Sequence, residues 1–184
     1  SSYEKLEAPV EIASIYAEHE IKESETLPYP MEGYQFYLDT KNALKDTNYY
    51  LWKLESTFKF QADFLIKDVY NYRKRTAFPQ PASFYTCWKT EAISQLFTFE
   101  TSQLSAPVIT RLPLHYVSTE GRELSISYSL KVRQLTLSAE AYNYWNSLRE
   151  LNENQGALYS KQPYQIHGNV QNIQDPAEPV MGYF

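Results

Sequence analysis

The stretch Glu123-Leu-Ser-Ile-Ser-Tyr-Ser-Leu-Lys-Val-Arg133 decides the fold. Leu124, Ile126, Tyr128, Leu130 and Val132 fall on one side of it, and Ser125, Ser127, Ser129, Lys131 and Arg133 on the other. Successive side chains of a strand point to opposite faces, so this alternation is that of a half-buried strand. One wet face argues for an antiparallel sheet. Carried on to Leu137, the run would span roughly 50 Å at about 3.3 Å per residue. That is long for one strand, and a bend or bulge is expected near Gln134.

The period changes after Leu137. Ser138 suits an N-cap, because its hydroxyl can accept from an orphan amide of a first helical turn. Glu140 suits the positive end of the helix dipole. Ala141, Tyr144, Trp145 and Leu148 share a helical face, whereas Asn143, Asn146, Arg149, Glu150 and Glu153 turn mostly away. Gly156 fits a C′ residue, so the helix is expected over 139–155. Tyr144 and Trp145 are expected to dock it on the sheet, as apolar stripes of surface helices do.

Upstream, residues 1–32 read as a linker and an edge strand. Val10 and Ile12 would start that strand, and Pro28 and Pro30 would end it. Residues 33–184 read as one domain. Gly33–Asp39 alternates, with Tyr34, Phe36 and Leu38 together. Tyr49–Phe60 alternates again, with Tyr50, Trp52, Leu54, Phe58 and Phe60 on one face. The polar loop Thr40–Asn48 between them predicts a neighbouring antiparallel pair. Phe64–Tyr72 fits strand or helix, and it leads into the cationic Asn71-Tyr-Arg-Lys-Arg75 and then Phe78-Pro-Gln-Pro81. That loop could contact an anion or a partner, though most such loops are simply solvated. Phe84–Lys89 and Ile93–Glu100 read as strands. Pro107 and Pro113 make any strand in Leu104–Val117 an edge or an interrupted one. Glu120-Gly121 is a turn, and Val180–Phe184 a short terminal strand. The expected fold is mainly β: an antiparallel immunoglobulin/fibronectin-like β-sandwich with one long amphipathic helix packed on it.

Composition narrows the function. The 184 residues carry a formal charge of −5, which argues against nucleic acid. Seventeen tyrosines suit pleated surfaces and also binding faces. Cys87 is the single cysteine, so no intrachain disulfide forms, and beside Trp88 it reads as a buried small hydrophobe. No apolar run is long enough for a membrane span. No phosphate loop, zinc signature or nucleophile elbow occurs. His19, His115 and His167 stand far apart, each read as packed or solvent-facing. No catalytic residue, metal ligand or cofactor is assigned, and no binding residue can be named. The Ser-Ser start without Met predicts a processed or truncated chain, and a native sequence continuing past Phe184 is expected.

Several ordered segments then match one another's context: Tyr128-Ser-Leu130, Gln134-Leu-Thr-Leu-Ser138, Ala141-Tyr142, Tyr144-Trp145 and Leu148. Asn152-Glu153, Gly156, Leu158-Tyr159, Gln162-Pro163, Gly168-Asn-Val170, Asp175-Pro176 and Val180-Met-Gly-Tyr-Phe184 continue the set, with Cys87-Trp88 and Leu104-Ser105 before it. Over roughly Gly33–Phe184 the chain resembles a Bacteroidota outer-membrane lipoprotein family known as domain of unknown function forty-two forty-nine. The resemblance implies a lipid-anchored cell-surface protein, often encoded beside a TonB-dependent transporter, with a signal and an N-terminal immunoglobulin-like domain that this sequence lacks. It implies a non-enzymatic partner of that outer-membrane transporter in nutrient uptake, touching the membrane only through the anchor. The alternative is a glycan- or peptide-binding module.

Overall fold

A computed structural model describes residues 7–23, 28–41, 47–64, 67–79, 85–153, 166, 168–170, 172–175, 180 and 182–183. Among these residues eight strands and one helix follow in order: β1 (Ile12–Lys22), β2 (Met31–Thr40), β3 (Tyr49–Gln61), β4 (Asp68–Asn71), β5 (Thr76–Pro79), β6 (Thr86–Glu100), β7 (Leu112–Ser118), β8 (Ser127–Leu137) and α1 (Ala139–Glu153). They form an antiparallel sheet β1-β2-β7, a second antiparallel sheet β6-β3-β8 and a small β4-β5 hairpin. The protein is mainly β with one helix.

The core lies between the two larger sheets. Leu38 and Leu114 from the first meet Tyr50, Trp52 and Leu54 from the second, joined by Ile109 and flanked by Ile93, Phe97, Leu130 and Val132. Period-two alternation produces this. The Tyr50, Trp52, Leu54, Phe58 side of β3 is buried as expected, and Leu130 and Val132 point the same way from β8. Phe36 of β2 reaches across to the Tyr128 ring at 5.4 Å. β1 is an edge strand, and Pro113 sits in the other edge strand, β7, where a missing amide costs no ladder bond on the open side.

α1 packs on the opposite face of the second sheet. Ser138 caps it, accepting from the Ala141 amide at 3.1 Å on its hydroxyl and from the Tyr142 amide at 3.0 Å on its carbonyl. Ala141 and Tyr144 are buried and Trp145 is half-buried, its ring 5.1 Å from the Lys53 ammonium. Leu51, fully buried although on the outer face of β3, lies between Thr98 and Leu135 beneath the helix.

Several expectations need correction. The long strand begins at Ser127, not Leu124. Ser125 instead turns back on Arg122, its amide and hydroxyl both donating to the Arg122 carbonyl, at 3.3 and 2.8 Å. Such local bonds compete with a ladder. No bulge interrupts β8 at Gln134, since β8 keeps one register with β3 from Ser127 to Leu137. The slip falls in β6, where Trp52 pairs with Phe97 but Leu54 with Ile93. β2 and β3 are not neighbours. They lie in different sheets, because each must turn its apolar face to the same core from opposite sides. Asn146 and Arg149 face the sheet. Thr98 donates to Asn146 at 3.0 Å, and Arg149 donates to the Thr98 carbonyl at 3.1 Å. Phe64–Tyr72 contains a hairpin strand rather than a helix. Val180, Gly182 and Tyr183 lie outside any strand. Gly182 has φ 152°, which interrupts an extended run, and Tyr183 instead rests on Tyr144 at 5.6 Å. The Gly156 C′ assignment and His167 fall outside the described residues.

Candidate interaction surfaces

The residues singled out by their chemistry do not converge. His19 is exposed on β1 against Tyr34, with its ring 5.6 Å away. His115 lies on the core side of β7, half-buried, and burial lowers its pKa. Cys87 is half-buried on β6 rather than fully buried, because β6 is an edge strand whose end overhangs the core. Among the described residues no group of three or more His, Cys, Asp or Glu could hold a metal, and no helix is long and apolar enough to cross a membrane.

The outer face of the first sheet carries side chains that lock onto one another. Tyr37 donates to the Glu20 carboxylate and stacks on Tyr16 at 5.7 Å, and the Arg111 guanidinium lies 4.6 Å over its ring. Arg111 also pairs with Glu18 at 2.6 Å, and its amide donates to Asp39 at 2.7 Å. Lys22 donates to Gln35 at 2.6 Å and sits 4.4 Å over the Tyr116 ring. Tyr37 and Gln35 are thereby only 7 % and 4 % exposed, with no helix above them among the described residues. The Glu20 carboxylate, then burial, pushes the Tyr37 phenol up, and the Arg111 amide and Ser14 hydroxyl hold Asp39 below its usual range. Sequence reading missed this layer, because its partners meet only across strands.

Four open features remain. A cleft of about 530 Å³ opens where the β3 start, the β8 end and the segment before β1 meet, lined by Pro9, Val10, Asn48, Tyr49, Leu137 and Ala139. Its wall is mostly apolar, with Lys41 and Glu11 paired at the rim. Beyond α1, the outer face of the second sheet bears Trp88, 63 % exposed, with the Lys59 ammonium 5.3 Å from its ring. Thr57 and Thr90 share a hydrogen bond at 2.9 Å beside it, and Ser129 pairs with Thr57. Along the edge strand β1, exposed Ile15 and Ile21 (60 % exposed) and Tyr34 of the adjacent β2 lie on the core-facing side, with the His19–Glu32 pair between them. The β4-β5 hairpin stands out with Arg73, Lys74 and Arg75 at its turn.

This geometry defines a β-rich, two-sheet protein whose exposed aromatic and apolar side chains, rather than a cluster of reactive groups, are its distinctive surface. The chain belongs to the family described as Domain of unknown function (DUF4249), which it matches over residues 1–184, so the family extends over the first edge strand as well as the region from Gly33 onward. No curated protein and no solved structure matches the chain.

Proposed function

We propose that the chain is the docking module of a lipid-anchored cell-surface protein of the outer membrane, which associates with a TonB-dependent transporter in nutrient uptake and catalyses no reaction of its own. In this reading the two-sheet body is an immunoglobulin/fibronectin-like sandwich acting as a rigid frame. The observation that supports the reading best is the exposure of Ile15 and Ile21 on the edge strand β1 and of Tyr34 on β2 beside it. Large apolar side chains left open at a sheet edge are costly in water and typically mark a protein contact. Family membership supports the cellular setting. The test is purification of the native protein from its own outer membrane. A β-barrel transporter should come with it, and Ile15→Glu with Ile21→Glu should reduce that recovery at unchanged expression. Wild-type protein that never brings a barrel defeats the proposal.

A second reading is supported by Trp88. An indole open to solvent, flanked by threonine and serine hydroxyls on a flat sheet, suits a glycan whose C–H face stacks on the ring while its hydroxyls bond at the side. Glycan binding lost in Trp88→Ala, with transporter recovery intact, would favour this role.

A further inference from the structure

The charges of this protein are distributed in an uneven way. Outside the β4-β5 hairpin and Lys67, the residue before it, every described lysine and arginine is engaged within the chain. Lys22, Lys41, Lys89, Arg111, Arg122, Lys131, Arg133 and Arg149 have carboxylate partners, and Lys53 and Lys59 lie over indole rings. Among the described residues, Lys67, Arg73, Lys74 and Arg75 have neither an ion pair nor a ring beneath them. Among the described residues, a chain with net charge −5 therefore keeps its unengaged cations together, on the hairpin and the residue that leads into it.

The same hairpin gathers exposed rings. Tyr72 is 86 % exposed, and Tyr70 and Phe78 are also open. Cross-strand pairing puts Tyr70 with Ala77 and Val69 with Phe78, so Tyr70 and Phe78 point to opposite faces of the hairpin. Tyr72 meets Tyr70 edge-on at 5.1 Å beside the turn. The turn itself is built. Asn71 accepts from the amides of Arg73 and Lys74 at 3.0 and 3.1 Å, and Arg75 closes the turn at φ 50°. A glycine would fit that last position with less strain, yet it holds a cation.

We propose that this hairpin is a membrane-surface contact that seats among the anionic phosphate headgroups of a lipid bilayer. Aromatic rings favour the headgroup level, and cations are drawn to anionic lipid. A folded acidic protein would cover one face of the ribbon, whereas a headgroup layer surrounds a tip and takes in rings from both faces. The distribution of Tyr70, Tyr72 and Phe78 therefore fits the bilayer better than a protein partner. A bound acyl anchor alone gives marginal attachment, and a basic patch is the kind of second signal that makes it stable. The inference does not depend on the transporter reading, because it is tested without any transporter.

The experiment uses the full chain, without lipid attached, and sedimentation with vesicles of phosphatidylcholine containing 30 mol % phosphatidylglycerol, against phosphatidylcholine alone. The expected result is binding to the anionic vesicles only, weakened by salt. Arg73→Gln with Lys74→Gln should lower the partition coefficient roughly tenfold or more. Lys131→Gln with Arg133→Gln, the same change of charge on the outer face of the second sheet, should bind as wild type. Tyr72→Ala should weaken binding at high salt, where the rings contribute most. Unchanged circular dichroism is expected of all variants, since none of these hairpin side chains packs on the core. Equal binding to both vesicle types, equal loss in both double variants, or retention by polyglutamate beads with no retention by vesicles would each overturn the proposal.

Discussion

The indole N–H of Trp52, on a side chain with no exposed surface, donates to the side-chain oxygen of Gln134 at 2.9 Å, and the Gln134 amide in turn donates to the Val10 carbonyl at 2.6 Å. One glutamine thus ties the second sheet to the segment that leads into β1. It also explains why an alternating strand places a polar residue inward at this point. Replacing Gln134 with leucine keeps the volume but leaves the indole donor buried without a partner. Such an orphan costs about 1–3 kcal/mol. Denaturant unfolding of Gln134→Leu should show a lowered midpoint at unchanged m-value, and faster amide exchange is expected around Val10. A midpoint equal to wild type would mean that the indole finds another acceptor.

Gly33 is fixed by proximity rather than by backbone angle. A Cβ there would lie 2.4 Å from the Val117 carbonyl oxygen and 2.5 Å from the Tyr116 ring. The carbonyl belongs to the neighbouring strand β7 and cannot swing aside, while the Tyr116 hydroxyl is held on the Met31 carbonyl at 2.8 Å. Gly33→Ala should therefore push β2 and β7 apart. Overpacking of this sort costs about 1–3 kcal/mol, occasionally more. A fall in melting temperature with the second sheet's tryptophan fluorescence unchanged before the transition is the expected outcome. A variant as stable as wild type would show that β7 shifts freely.

Much of this fold is legible from residue order. The inward residues of β3, the inward side of β8 at Leu130 and Val132, the Ser138 cap and the edge character of β1 and β7 all follow from period and turn chemistry. The errors share a cause. Alternation tells which side chains share a face, but not which strand lies beside which, so the polar loop suggests a β2-β3 pair although the two strands face each other across the core. The same limit hid the Arg111, Tyr37 and Glu20 layer, whose members are distant in sequence. Polarity alone points Asn146 and Arg149 to water, yet Thr98 gives them partners beneath the helix. The hairpin was legible as cationic and loop-like. Its two-faced aromatic display required the pairing of Val69 with Phe78.

The helix begins on one hydroxyl. Ser138 accepts from the Ala141 amide at 3.1 Å, and among the described hydrogen bonds no other side chain reaches that first turn. Ser138→Ala should cost about 1 kcal/mol, within the usual range of 0.5–2 kcal/mol for a lost cap. Ser138→Asp should recover it, because a carboxylate both accepts and suits the helix dipole. Thermal unfolding of the three proteins checks the order. If alanine matched serine, the helix would be held by Ala141 and Tyr144 packing alone.

His115 makes the stability of the protein depend on pH in a defined direction. Burial on the core side of β7 lowers its pKa from the ordinary 6.5, so the native state resists the proton that the unfolded chain accepts. Above 6.5 both states carry a neutral ring, and the full stability is present. As the pH falls through 6.5 towards the lowered native value, the unfolded state gains protons first and stability is lost. Carboxylates also titrate below that range, so the wild type alone is not diagnostic. His115→Leu removes this one contribution and leaves the carboxylates in place. Unfolding free energies measured at about pH 8, 6 and 5 should show wild type losing ground to the variant as the pH drops. A wild-type-minus-variant difference that stays constant across those values would mean that His115 titrates alike in both states, and that its place against the core is no barrier to charge.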